Sequence, residues 1–493
     1  MTIEFDLTLR GGLVHTGDGT HRLDIGIRGE QIVALAPDLC PGRQDFDVGG
    51  KLILPGGIDS HCHIEQMSGM GIMGADDFYS GTVSAAFGGT TTVIPFAMQR
   101  RGESLLAAID DYAARATPKA VIDYAFHAIL TDASDDVLTR EVPIAVSRGI
   151  TSFKVYMTYD AVRLNDTQIL DVFASANQHG ALVMVHAESN DMVRWLTARL
   201  LERGLTAPKY HEVAHDPLAE TEATYRAVSL ARLAGAPLLI VHVGGIEAVQ
   251  VIHAAQTMGA PVYAETCPQY LVLSREDLDL PGLEGAKFCC APPPRDGVSR
   301  EAVWAGLASG TLSVFSSDHA PYRFDSSGKL PNGAETRFSE IANGVPGLET
   351  RLPLLFSEGV GKGRISLERY VALTAANPAK AYGLYPRKGV IRVDSDADLV
   401  IWDTDRHVTI TSEMLHDRVG YTPYEGMQVQ GWPETTICRG KVVVNGGQLL
   451  AKPGDGTFLA CGPSEWLVQP ERPVPDGLGR DGRGLLFRKL FDL

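Results

Sequence analysis

The chain has 493 residues, more than one hydrophobic core usually serves, so a large domain with a smaller companion is expected. Hydrophobic residues at 44%, charged residues at 21% and a mean hydropathy of −0.01 exclude a mostly disordered polymer. Sixty Asp and Glu against 44 Lys and Arg give a net charge of −16, a field that repels nucleic acid and anionic membranes, so neither is an expected partner.

The opening residues, MTIEFDLTLRGG, lack the basic start and apolar stretch of a signal peptide. No apolar run reaches the roughly 18 residues that suggest a membrane span. The seven cysteines contain no CxxC pair and read as reduced thiols, which places the expected compartment in the cytoplasm. Cys289 and Cys290 are adjacent and read as packing residues.

In chain order, short alternating strands come first, at residues 6–10, 24–28 and 31–35, separated by Gly-rich turns. The same texture returns at 397–402, 435–438 and 441–444. Each end alone would leave a face uncovered, so the two ends are expected to join in one small β-sandwich domain, residues 1–54 with 387–460. Between them, residues 55–386 alternate short apolar runs with longer amphipathic segments, the pattern of βα units. Eight runs read as strands: 52–58, 91–96, 124–129, 152–156, 182–185, 238–241, 262–264 and 312–315. Eight such units predict a (β/α)8 barrel; a doubly wound open sheet is the alternative, but no GxGxxG follows the first strand.

Metal-capable side chains fall at the ends of these runs. His61 and His63 follow the first strand (GGIDSHCH), Lys154 ends the fourth (TSFKVYM), and His186 ends the fifth (VMVHAE). His242 follows the sixth (LIVHVG) and Asp318 the eighth (VFSSDHAP). Strand C-termini are the face where barrel enzymes build their sites. His61 and His63, two apart in extended chain, project to one side. Taken singly, each has a plainer reading: a core histidine, a lysine reaching for water, an aspartate capping a helix. Six in register on separate strands point instead to a metal site. Four histidines and an aspartate suit Zn²⁺ or a similar divalent ion. Lys154 fits only if modified, because an ammonium has no lone pair. Its neutral amine reacting with carbon dioxide would give a carbamate that can bridge two metals, so Lys154 is read as N6-carboxylated.

These segments, with GGIDSHCHIEQ, ADDFYSGT, SFKVYMTY, VHAESND, NGVPGLETR and NPAKAYGLYPRKG in that order, resemble the cyclic amidohydrolases of the amidohydrolase superfamily, closest to the D-hydantoinase and dihydropyrimidinase branch. The resemblance spans about residues 5–460. It implies two divalent ions, zinc first and manganese as the alternative. His61 and His63 would hold one, His186 and His242 the other, with Lys154 bridging and Asp318 both binding metal and acting as general base. Tyr159 would donate to the developing oxyanion. Backbone groups at Ala291 and Asn343 would hold the ureide edge of the ring, although the branch usually has Ser where Ala291 stands. The implied activity is opening of a hydantoin or dihydropyrimidine ring to an N-carbamoyl amino acid. Nothing in the chain calls for a serine nucleophile, and no GxSxG elbow occurs in the barrel.

Related enzymes for anionic rings carry an Arg two places after the second His. Glu65 stands there and would repel a substrate carboxylate. The segment ETCPQY, with Gln269 in place of a usual His, looks more like allantoinases and dihydroorotases, so allantoin and cyclic imides stay behind hydantoins and dihydropyrimidines as alternatives. Met67, Met70 and Met73, in the loop after His63, either line a pocket for an apolar ring substituent or pack the loop onto the barrel. A non-catalytic alternative, the collapsin response mediator type, loses metal ligands; here all six positions are filled. Residues 461–493 are Pro- and Gly-rich and end in apolar LLFRKLFDL. They read as an extended arm that docks on a neighbouring subunit of a homo-oligomer, a tetramer or dimer.

Overall fold

Both ends of the chain meet in one sheet. The computed structural model describes residues 4–467, so the apolar end of the predicted arm lies outside the described residues. The N-terminal strands are β1 (Leu7–Thr16), β2 (Gly19–Arg28), β3 (Gln31–Ala36), β4 (Gln44–Asp47) and β5 (Leu52–Pro55). Next come β6 (Gly57–Cys62), β7 (Thr90–Met98), β8 (Asp123–Tyr124), β9 (His127–Ile129) and β10 (Ser152–Tyr156). β11 (Leu182–His186), β12 (Leu238–Ile240), β13 (Val262–Thr266) and β14 (Val314–Phe315) follow. The last are β15 (Leu399–Thr409), β16 (Gln428–Cys438), β17 (Lys441–Asn445) and β18 (Gln448–Leu449).

The first sheet runs β18-β17-β16-β15-β5-β1-β2-β3 with β4 beside β1, and it is mostly antiparallel. β5 is its seam, antiparallel to β15 and parallel to β1, so neither end completes the sheet alone. The sheet curls over a core that includes Ile25, Ile27, Ile53, Leu399 and Ile437. Its far hairpins touch. Gly440, between β16 and β17, has φ 73, and a Cβ there would stand 2.4 Å from the Gly29 carbonyl oxygen.

The second sheet is parallel, in the order β6-β7-β9-β10-β11-β12-β13-β14, with β8 beside β7. A parallel bridge between Cys62 and His319 brings its two ends together into a nearly closed barrel. Buried on both faces, its strands carry short apolar runs such as those of β11 and β12, which is why they stand out in the sequence. Ile58, Ile94, Phe96, Leu182, Met184 and Leu239 fill the interior. Leu459 and Cys461 join that cluster, and Trp466 stacks on Tyr263 with ring centroids 4.1 Å apart.

One predicted strand divides. Residues 52–58 form β5 in the curled sheet and then β6 in the barrel. The break is Gly56, where a Cβ would lie 2.1 Å from the Thr91 hydroxyl oxygen. Only glycine lets the chain pass so close to a neighbour while changing sheets. Nearby, Lys388 donates to Asp123 and Asp398, each at 2.7 Å, and Arg439 donates to Asp123 at 2.8 Å. This buried ionic junction ties β8 to the chain entering β15 and leaving β16. It also occupies the carboxylates of a second donor cluster, Asp123, Asp398 and Cys438.

Candidate metal centre

The barrel strands deliver their C-terminal residues to one cavity of about 270 Å³. His63, Lys154, Tyr159, His186, His242, Ala291, Asp318 and Asn343 line it. His61 lies just beneath, fully buried, with its Nε2 2.8 Å from Lys154 Nζ. Asp318 Oδ1 stands 3.2 Å from His61 Nε2 and 3.4 Å from His63 Nε2. The donor atoms of His61, His63 and Asp318 all lie within 4.8 Å of one another. The rings of His186 and His242 are 4.5 Å apart, and His61 and His242 are 5.4 Å apart. All six residues expected at a metal site therefore converge.

Their chemistry suits cations. Burial lowers the imidazolium pKa of His63 to about 4 and also lowers those of His186 and His242, leaving neutral rings with free lone pairs. Burial pushes the Asp318 carboxyl up, but His61 and His63 outweigh it and hold it well below the usual range. Burial brings the Lys154 ammonium down to about 8 against the pull of Asp318 and Glu265, so its neutral amine is accessible near neutral pH. Nδ1 of His242 is buried without a hydrogen-bond partner among the described residues. The donor set fits the two-ion site expected of these residues.

A supporting layer was not foreseen from sequence. Glu265, fully buried at the end of β13, lies 2.6 Å from His61 Nδ1. Gln66 accepts from His63 Nδ1 at 2.7 Å. Glu188 bridges His186 Nε2 at 2.7 Å and His215 Nδ1 at 2.8 Å. Such partners fix which ring nitrogen faces the metal. Glu265 shares the strand-end position of His186 and His242, and that position was the available signal.

Tyr159 and Asn343 meet across the mouth, where Asn343 Nδ2 donates to the Tyr159 hydroxyl at 3.3 Å. Burial raises the Tyr159 phenol well above its ordinary value, keeping it a donor. Tyr159, His242 and Asp318 have φ of 69, 42 and 47, left-handed values rare outside glycine.

Two expectations need correction or division. Glu65 is turned out of the cavity. Lys119 donates to its two carboxylate oxygens at 2.7 and 2.8 Å, and one of them also accepts from Phe78 N–H at 3.2 Å. It cannot repel a bound substrate from there. Against anionic rings the cavity has another property: Lys154 is its only lysine or arginine among the described lining residues, and the lining carboxylate of Asp160 is paired with Arg163 and Arg194. The methionine loop is an ordered hairpin in which Met67 pairs with Met73. Met67 and Met70 line the cavity, whereas Met73 and Gln269 do not.

A parallel barrel with histidine, lysine and aspartate gathered at its strand ends defines a barrel hydrolase. Residues 52–443 match the Amidohydrolase family, to which the chain belongs. It is 40% identical over 455 residues to the D-hydantoinase of Ralstonia pickettii, covering 92% of this chain and 98% of that one. It is 42% identical to the D-hydantoinase of Geobacillus stearothermophilus, covering 92% and 95%. The solved dihydropyrimidinase of Brevibacillus agri superposes with a TM-score of 0.90 at 42% identity, covering 93% and 99%. Among the described residues no helix is long and apolar enough to cross a membrane.

Proposed function

We propose that this protein opens hydantoin and dihydropyrimidine rings by hydrolysing a ring amide, releasing an N-carbamoyl amino acid. The observation that carries the reading is the convergence of His61, His63 and Asp318 within 4.8 Å at the floor of a ring-sized cavity. His61 and His63 would hold one divalent ion and His186 and His242 the other. Zinc suits this histidine-rich set, with manganese next, and Lys154 would bridge as a carbamate. When bound, such ions lower the pKa of water from 15.7 to about 7 and polarise the scissile carbonyl.

The remaining work falls to the chain. Asp318, kept ionised, accepts the proton of the attacking water and passes it to the departing ring nitrogen. Tyr159 donates its hydroxyl hydrogen to the oxygen that gains charge. Backbone groups at Ala291 and Asn343 hold the ureide edge. Met67, Met70, Ala161 and Val162 offer an apolar wall to a substituent on the ring. Residues 55–386 would form the catalytic unit, supported by 1–54 and 387–460, and subunits would assemble as a homo-oligomer.

The test is kcat/KM for a 5-substituted hydantoin, dihydrouracil and dihydroorotate. The first two should exceed dihydroorotate by about a hundredfold or more, since its carboxylate finds no arginine among the described residues lining the cavity. A preference for dihydroorotate would overturn the reading.

A further inference from the structure

A lysine outside the metal cluster lies buried behind the ring-binding wall. Lys329 is fully enclosed, in the loop that follows β14. Its Nζ donates to the carbonyl oxygen of Cys289 at 2.8 Å and to that of Ala342 at 2.9 Å. Cys289 stands two residues before Ala291, and Ala342 immediately precedes Asn343. The amide of Gly344 donates to the same Cys289 carbonyl at 3.0 Å. His211 Nε2 holds the next carbonyl, that of Cys290, at 2.8 Å. The two segments that face the ring are thus joined behind it by the Gly344 amide and, on both sides, by one ammonium.

That ammonium has no carboxylate partner among the described residues. Burial pushes its pKa down to about 8, and only the thiols of Cys289 and Cys290 oppose the shift. An unpaired buried cation is costly, whereas a methionine would fill the same tunnel without that cost. The loop needs no charge for packing, because Leu330, Phe324 and Phe338 already anchor it to the cluster containing Cys289 and Ile341. What the lysine adds is a pair of donors at fixed spacing.

We propose that Lys329 is a positioning residue that locks the 289–291 and 342–344 segments together, so that Ala291 and Asn343 grip the ureide edge as one rigid clamp. The proposal rests on the substrate reading above. It deepens that reading by assigning ring specificity to a residue that never touches the ring. Preorganised donors bind a ring more tightly and discriminate its N–H groups more sharply than mobile ones do.

The experiment compares hydantoin, 1-methylhydantoin and 3-methylhydantoin on the wild-type holoenzyme, K329M and K329Q. K329Q keeps one amide donor and is the milder change should K329M fold poorly. In the wild type, methylating a gripped nitrogen should lower kcat/KM about tenfold or more. In K329M that penalty should shrink to about threefold or less, while KM for hydantoin rises about tenfold and kcat and metal content hold. A residue that only propped the fold would lower all three substrates by one factor, so an unchanged methylation penalty overturns the proposal. Amide hydrogen exchange supplies a readout independent of turnover: peptides covering 286–292 and 341–347 should exchange faster in the variants, and those covering β10–β12 should not. If the wild type opens none of the three rings, the substrate reading falls. Unchanged exchange in both peptides would then overturn the lock by itself.

Discussion

Glu265→Gln should loosen the metal centre without disturbing the barrel. Glu265 is fully buried, with one carboxylate oxygen 2.6 Å from His61 Nδ1 and 3.3 Å from the backbone N–H of His242. Glutamine has the same shape and its carbonyl can still accept from Nδ1–H, so the change removes charge and little else. A hydrogen bond to a charged group contributes roughly 1.5–3 kcal/mol and a neutral one roughly 0.5–1.5 kcal/mol. The difference of about 1–1.5 kcal/mol corresponds to about tenfold in metal affinity. If the amide turns its NH2 toward Nδ1, the ring hydrogen moves to Nε2, the atom beside Lys154 and Asp318, and the loss approaches a hundredfold. The assay is residual metal per chain after equilibration with graded chelator. Glu301→Gln serves as control, because Glu301 is exposed and pairs with Arg364 at 2.8 Å, far from any histidine of the site. An unchanged chelator midpoint for E265Q, or an equal shift in E301Q, would refute the argument.

Two other outcomes follow from the same structure. Lys154→Ala should lose most metal and nearly all activity while its thermal unfolding stays cooperative, and short carboxylic acids should restore part of the activity by supplying the missing anion. Intact-mass measurement of an unmodified lysine in active, fully metallated protein would contradict the carbamate. Asp417 offers a pH test, since burial, reinforced by Asp76, raises its carboxyl from 3.8 to about 6. The fold favours the protonated form, so that contribution is complete below about pH 4 and is lost as pH rises through about 6, costing roughly 1–3 kcal/mol above it. Asp417→Asn should therefore raise the unfolding midpoint near pH 8 and leave it unchanged near pH 4. An equal change at both would show that ionisation is not the cause.

The barrel and its six convergent side chains were legible because both depend on local pattern. Strands buried on two faces are rich in apolar residues, and residues at their ends inherit a common direction. What stayed hidden depends on partners far away in sequence. The side chain of Glu65 turns outward because Lys119, 54 residues on, receives it, and no motif around His63 encodes that choice. The division of residues 52–58 hinges on a Thr91 side chain pressed against Gly56. Gln66, Glu188 and Glu265 read as ordinary polar residues until the fold sets each beside a histidine. Lys329 lies in a segment whose glycine and serine content reads only as loop, and its two carbonyl partners are 40 and 13 residues distant.

The left-handed backbone at Tyr159, His242 and Asp318 bears on how this protein can change. Each such residue costs about 1–3 kcal/mol relative to a relaxed one, a load the surrounding barrel must carry. Glycine at any of the three would ease the backbone and remove the side chain the site depends on. Selection for greater heat resistance thus finds these three local gains closed to it by function. Stabilising substitutions will accumulate instead in the curled sheet and the outer helices, and the three strained positions around the cavity will remain among the least negotiable in the chain.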